Sequence, residues 1–133
     1  LSGFEDLPKY GKIAIGDPDF VPAGKYAYEV CNSLGIWGEL ENKLIYGKDV
    51  TEVLTWVAFG NADAGMVYST EVSLSVQVRV VAFAPEGSHS RIVYPAALVK
   101  GCKDEKAGID FIGFLKSAEA GEVFVKYGFI TVN

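Results

Sequence analysis

Apolar residues in the first third of this chain fall into one short run followed by a helical pattern. The run Lys12–Gly16 predicts a buried strand, and the apolar positions of Pro22–Leu34 recur at the spacing of one helix face. Pro22 suits the first helical turn, whose N–H groups lack intrahelical partners, and Gly35 supplies the end of the helix. The apolar face comprises Ala23, Tyr26, Ala27, Val30, Cys31 and Leu34.

The next segment repeats this order of strand and helix. Trp37–Lys43 is predicted to form a short helical turn, and Leu44–Tyr46 a brief strand. Asp49 is predicted to cap a second helix, because Glu52 follows it at the spacing of a capping box, and Gly60 ends that helix. Its predicted buried face comprises Val50, Val53, Leu54, Val57 and Ala58.

The remaining elements complete an alternating pattern. Leu1–Gly11 is predicted to be a lead-in loop, and three further strands are predicted at Ala64–Tyr68, Val76–Phe83 and Ile92–Lys100. Pro95 places the last of these at a sheet edge or in a crossing segment. Two helices, Asp104–Leu115 and Ser117–Tyr127, close the chain. Alternating strands and helices predict an α/β fold with a mixed, mainly parallel sheet covered by helices.

Three positions are candidates for a binding site. In sheets of this kind, ligands lie beyond the carboxyl ends of the strands. The helix starts at Pro22-Ala23 and Asp49-Val50 are expected there, where free N–H groups and the positive end of the helix dipole favour an anion. Tyr68, at the end of its predicted strand, adds a hydroxyl. The alternative is purely structural, with ordinary helix starts and a tyrosine that fills the core.

Composition restricts the class of protein. The 133 residues are 50% hydrophobic, which is enough for one compact domain with a core, and the net charge of −5 disfavours nucleic acid as a partner. The sequence contains no run of eighteen apolar residues, so no transmembrane helix is predicted. The chain begins at Leu1 rather than Met, so we expect a mature or excised piece of a longer protein.

Residues that often carry catalysis or bind metals do not form a recognisable site. His89 is the only histidine and lies in what the sequence predicts to be a polar surface loop, so no catalytic residue is predicted. Cys31 and Cys102 do not supply a zinc site, and we expect one buried and one surface thiol, with a disulfide as the alternative. Asp17 and Asp19 begin like a calcium loop, but its later ligand positions are not filled. No metal site and no cofactor is therefore predicted.

One segment closely resembles a known family. Gly16–Ala27, which reads GDPDFVPAGKYA, resembles the second-lobe signature of the periplasmic molybdate-binding proteins of ABC importers, within the type II solute-binding proteins. Further matches follow in the same order along the chain. They are Gly35–Trp37, Lys43–Val50, Asn61–Ser69, Pro85–His89, Ile92–Ala96 and Ala120–Phe129.

The resemblance implies a domain organisation. Residues 1–92 would form the second, ligand-binding lobe of a periplasmic-binding-protein-like fold. Residues 93–133 would form the hinge return strand and C-terminal helices that normally belong to the first lobe. The family carries an additional N-terminal half-lobe, whose serines complete the site and which has no counterpart here. The apolar faces of the last two helices are then expected to pack on lobe two or on another copy of the chain, or to stay unpaired.

The resemblance also implies a function. It predicts a binding protein, not an enzyme, that takes up molybdate or tungstate outside the cytoplasm, in the periplasm or lipid-anchored at the cell surface. The ABC importer membrane subunits are its implied partners in the full-length protein. The implied ligands are the backbone N–H groups of Ala23 and Val50 and the hydroxyl of Tyr68. Two alternatives remain, namely a receptor lobe for sulfate or phosphate, and a single-lobe sensor or interaction domain without transport.

Overall fold

The chain divides into two compact units, with the boundary between Arg91 and Ile92. The computed structural model describes residues 2–72 and 75–131, so Leu1, Val132 and Asn133 of the predicted segments lie outside the described residues. The first unit contains a parallel sheet with helices on both faces. The second contains two helices, preceded by residues 92–104, which form no helix or strand.

Three strands form the sheet of the first unit. They are β1 (Ile13–Gly16), β2 (Leu44–Gly47) and β3 (Ala64–Gly65). The spatial order is β2-β1-β3, and both pairings are parallel. Ile13 lies opposite Leu44 on one side and Ala64 on the other. These strands, with the helices between them, confirm the predicted α/β fold.

Two helices cover opposite faces of β1. Successive side chains of a strand point to opposite faces. Ile13 and Ile15 therefore pack with residues of α1 (Pro22–Ser33), whereas Ala14 packs with Val53 of α3 (Val50–Ala58). The first of these clusters is the larger, and it comprises Leu7, Ile13, Ile15, Ala27, Cys31, Ile36, Leu40 and Ala64. The sheet is thereby fixed between two helices whose N-termini follow its strands.

Two short helices complete the first unit. The structure confirms the predicted turn after α1, where α2 (Trp37–Leu40) leads into a 3-10 turn at Glu41–Lys43. α4 (Ser69–Val72) follows β3 and was not predicted from the sequence. Of the residues predicted to form the buried face of α3, only Val53 is fully buried.

Three predictions of local structure were wrong. Phe4–Lys9 is a 3-10 helix rather than a loop, with Leu7 buried in the core. Residues 76–83 and 92–100 were predicted as strands, but in the described part of the chain neither pairs with a neighbour. A strand needs a partner for its backbone hydrogen bonds, and apolar content alone does not provide one. Val76 and Phe83 are accordingly exposed, at 101% and 72%.

The second unit contains α5 (Glu105–Leu115) and α6 (Ala118–Lys126). Asp104 caps α5 by accepting from the Ala107 N–H at 2.9 Å, and Ser117 caps α6 by accepting from the Ala120 N–H at 3.2 Å. The rings of Tyr94 and Phe124 each lie edge-on to Phe129. Ala120 is the one buried residue among those described in this unit, so most of its apolar surface is exposed. The exposed apolar residues are Val93, Tyr94, Val99, Ile109, Phe111, Phe114, Val123, Val125, Tyr127 and Ile130.

Both cysteines are free thiols, as the sequence favoured. Cys31 lies on the buried face of α1 and is completely buried in the core, whereas Cys102 is half-buried. Burial raises the pKa of the Cys31 thiol to about 11, because the thiolate would lose its hydration. Cys31 is therefore a packing residue at neutral pH.

Candidate functional site

The candidate site lies beyond the carboxyl edge of the sheet. Because β1, β2 and β3 are parallel, their carboxyl ends meet at one edge. α1 begins after β1 and α3 begins after β2, so both helix starts follow that edge. Tyr68 lies three residues beyond β3. The topology therefore places Ala23, Val50 and Tyr68 after neighbouring strands at the same end of the unit, as the sequence predicted.

The start of α1 has no side-chain cap. Its N-cap residue Val21 is extended and offers no side-chain hydrogen bond, while Pro22 has no N–H. Ala23 is buried, and in the described part of the chain its N–H donates no hydrogen bond. The first turn of this helix thus retains an unused donor.

Two glycines let α1 approach β1 closely. A β-carbon at Gly24 would overlap the backbone of Gly16 and lie 2.8 Å from the carbonyl carbon of Asp17. One at Gly16 would lie 2.6 Å from Cγ1 of Val21. The small residue at Gly24 is therefore required by the packing of helix against strand.

Two carboxylates accept hydrogen bonds from backbone N–H groups at the start of α3. The Asp49 carboxylate accepts from the Glu52 N–H at 2.8 Å, and the Glu52 carboxylate accepts from the Lys48 N–H at 2.8 Å. This confirms the predicted cap, with Glu52 reaching one residue further back than in the usual capping box. The N–H of Val50 donates no hydrogen bond within residues 2–72 and 75–131, and it is the second unused donor.

Tyr68 is half-buried and contacts another aromatic residue. Its ring lies edge-on to that of Tyr26 on α1, with 6.4 Å between the ring centroids. β3 ends at Gly65, so Tyr68 lies beyond the strand rather than at its last position. The Tyr68 carbonyl accepts from the Glu71 N–H at 3.0 Å and so starts the short helix α4.

Carboxylates border the start of α1. Asp17 accepts from the Asp19 N–H at 2.9 Å, and its own N–H donates to the Gly47 carbonyl at 3.0 Å. Partial burial raises the pKa of Tyr46, and the negative charges of Asp17, Glu41 and Asp19 raise it further. Because these charges repel an anion, an anion at this edge has to be held by directed N–H and O–H donors.

The contact of the segment after Pro85 with α1 was not predicted from the sequence. The segment forms a turn in which Ser88 is buried and donates from both its N–H and hydroxyl to the Pro85 carbonyl. Ser90 donates from its N–H and its hydroxyl to the Glu29 carboxylate on α1, and these bonds lower the pKa of Glu29. The two residues are 61 positions apart, so no local pattern in the sequence indicated this contact.

Two further searches concern only the residues that the structure describes. They contain no cluster of three or more histidine, cysteine or acidic side chains placed to hold a metal ion. They also contain no helix that is long and apolar enough to cross a membrane.

The sequence matches a family model described as bacterial extracellular solute-binding protein over residues 1–130. The chain belongs to this family. The family description confirms the extracytoplasmic location predicted from the sequence.

Curated relatives resemble the chain over most of its length. The molybdate-binding protein ModA of Haemophilus influenzae is 43% identical over 88% of this chain, and that of Escherichia coli is 41% identical over 90%. Each match covers 46% of the relative. The chain thus spans about half the length of the curated relatives it matches.

Solved structures agree with the fold. A substrate-binding domain assigned to a molybdenum ABC transporter of Clostridium difficile is 41% identical, with a TM-score of 0.84 over the whole chain and 59% of that domain's chain. The periplasmic molybdate-binding protein of Azotobacter vinelandii has a TM-score of 0.80 over 93% of this chain and 55% of its own. At 21% identity this second structure supports the fold alone. The periplasmic-binding-protein-like architecture predicted from the sequence is confirmed.

Proposed function

We propose that this chain is the anion-binding part of a receptor that takes up molybdate or tungstate for an ABC importer. The observation that carries the proposal is the pair of unused N–H donors at two helix starts beyond one sheet edge. Such starts favour a dianion through both their free donors and the helix dipole. The relatives described as molybdate-binding proteins support the choice of anion.

The proposed ligands are the N–H groups of Ala23 and Val50 and the hydroxyl of Tyr68. All three are donors, since a hydroxyl can rotate to donate, and none carries a positive charge. A set of donors suits a fully deprotonated oxyanion and disfavours hydrogen phosphate, whose proton would face no acceptor. We further propose that the protein acts by binding alone, without catalysis and without a cofactor.

The remaining ligands are proposed to come from outside this chain. The chain spans about half of its curated relatives, so three donors are proposed to be half of an enclosed site. The complete receptor would deliver the anion to the membrane subunits of the importer. Residues 1–92 would be its second lobe, and residues 93–133 would return to the first lobe.

A proline substitution tests the proposal at a single backbone atom. Val50 is the first residue of α3, where proline is well accommodated, and Asp49 is extended as a residue before proline must be. In the complete receptor, Val50→Pro removes the N–H and should weaken molybdate binding by about 1.5–3 kcal/mol, roughly tenfold to a hundredfold, measured by titration calorimetry.

Two controls isolate the N–H from other effects of that substitution. Val50→Ala shortens the side chain but keeps the N–H donor. It should therefore leave molybdate affinity within about twofold of the wild-type value, a smaller change than the loss of one hydrogen bond would cause. Ala118→Pro makes the same change at the first residue of α6. Equal affinity for Val50→Pro and Val50→Ala, with both variants folded, would contradict the proposed ligand.

A further inference from the structure

Tyr26 on α1 contacts two aromatic rings from separate segments of the chain. Its ring lies 6.4 Å from that of Tyr68 and 5.8 Å from that of His89, measured between centroids. Both contacts are edge-on, with interplanar angles of 64° and 66°. This is a favourable geometry for aromatic pairs, so two contacts restrain the ring of Tyr26.

His89 is itself fixed by the turn that precedes it. Gly87 has a φ of +77°, which the turn requires, and the Ser88 hydroxyl donates to the Pro85 carbonyl at 2.6 Å. Nδ1 of His89 lies 2.8 Å from the Ser90 carbonyl oxygen. Contacts within its own segment therefore restrain the imidazole, in addition to its contact with Tyr26.

The same segment is tied to α1 at a second point. The Ser90 N–H donates to the Glu29 carboxylate at 2.6 Å and its hydroxyl donates at 2.8 Å. Tyr26 and Glu29 are three residues apart and so share one face of α1. Residues 85–90 thus contact that face at two neighbouring points, which fixes the position of His89 against Tyr26.

Tyr68 lies just beyond the sheet. β3 ends at Gly65, and the Met66 N–H still donates to the Ala14 carbonyl of β1 at 3.0 Å, so Tyr68 lies two residues past that hydrogen bond. A hydroxyl that donates to an anion must hold its oxygen within a narrow range of distance and angle. The ring contact with Tyr26 restricts the direction in which the Tyr68 hydroxyl points.

We infer that Tyr26 is a positioning residue for the Tyr68 hydroxyl and that His89 supports Tyr26 through the second ring contact. This inference rests on the proposed function, in which that hydroxyl binds the anion. It assigns the segment 85–90 a role in binding although that segment contributes no ligand. The two ring contacts of Tyr26 transmit the restraint from that segment to Tyr68.

A double-mutant cycle in the complete receptor tests the inference, with molybdate as the titrant. Tyr26→Leu should weaken binding by about threefold to tenfold, because the lost aromatic pair leaves the Tyr68 ring less restrained. Tyr26→Phe keeps the ring and should restore wild-type affinity. In a Tyr68→Phe background, Tyr26→Leu should cause no further loss, because the hydroxyl that it positions is already absent. His89→Leu should behave like Tyr26→Leu, with a smaller effect.

Tyr28→Leu is the matched control. Tyr28 lies two residues further along α1 and packs edge-on to Trp37 at 4.7 Å. Tyr28→Leu should change the melting temperature about as much as Tyr26→Leu does, but it should leave molybdate affinity unchanged. If Tyr26→Leu matches this control while Tyr68→Phe weakens binding, the inference is overturned. Additive losses from Tyr26→Leu and Tyr68→Phe would also overturn it. If Tyr68→Phe itself binds normally, the proposed ligand set fails first.

Discussion

At the scale of single residues, the start of α1 depends on two glycines. Gly24 and Gly16 let α1 pack against the end of β1, because a β-carbon at either would overlap neighbouring atoms. The close packing fixes the first turn of α1 and with it the N–H of Ala23. The same two glycines belong to the segment whose resemblance to the family is strongest.

Gly24→Ala should therefore destabilise the first unit. The added methyl group has to displace the backbone of Gly16 and Asp17, and we expect a loss of about 1–3 kcal/mol in the free energy of unfolding. Gly38→Ala on α2 is the control. A β-carbon there meets nothing within 4 Å, so that change should be neutral or stabilising by up to about 1 kcal/mol. Denaturant unfolding of both variants makes the comparison, and equal stabilities would contradict the packing argument.

At the scale of elements, helix caps could be predicted from the sequence, but sheet membership could not. Asp49, Asp104 and Ser117 all cap the helices they precede, because a cap depends on residues a few positions apart. Strand pairing depends on distant partners. The apolar runs at 76–83 and 92–100 therefore resembled strands but have no described neighbour to pair with.

The site could be predicted only in part, for the same reason. The positions of Ala23 and Val50 after neighbouring strands could be predicted, because helix starts and parallel strands imply where they lie. The contacts of Tyr26 with Tyr68 and His89, and of Glu29 with Ser90, join segments that are 42 or more residues apart in sequence, and no local spacing indicates them.

The exposed faces of α5 and α6 lead to a prediction about association. Phe111, Val123 and Tyr127 are 59%, 50% and 60% exposed, an apolar surface that isolated soluble domains seldom leave open. The 133-residue chain alone should therefore self-associate as its concentration rises, and sedimentation velocity should detect this. A compact monomer at high concentration that binds no dye for apolar surface would contradict the prediction.

At the scale of the whole molecule, the proposed site is an incomplete cage built from hydrogen-bond donors. Such a cage selects by charge, protonation and size. Sulfate matches molybdate in charge and shape but has shorter bonds to oxygen. A rigid site of molybdate size loses hydrogen-bond geometry when it encloses sulfate. Tungstate is nearly as large as molybdate and is therefore expected to fit equally well.

Competition calorimetry on the complete receptor tests the central claim most directly. The receptor is loaded with molybdate and titrated with tungstate, sulfate and phosphate in turn. Tungstate should displace molybdate at comparable concentration, whereas sulfate and phosphate should need at least about a hundredfold excess, equivalent to about 2.7 kcal/mol of discrimination. Displacement of molybdate by sulfate at comparable concentration would contradict the account and favour a sulfate receptor.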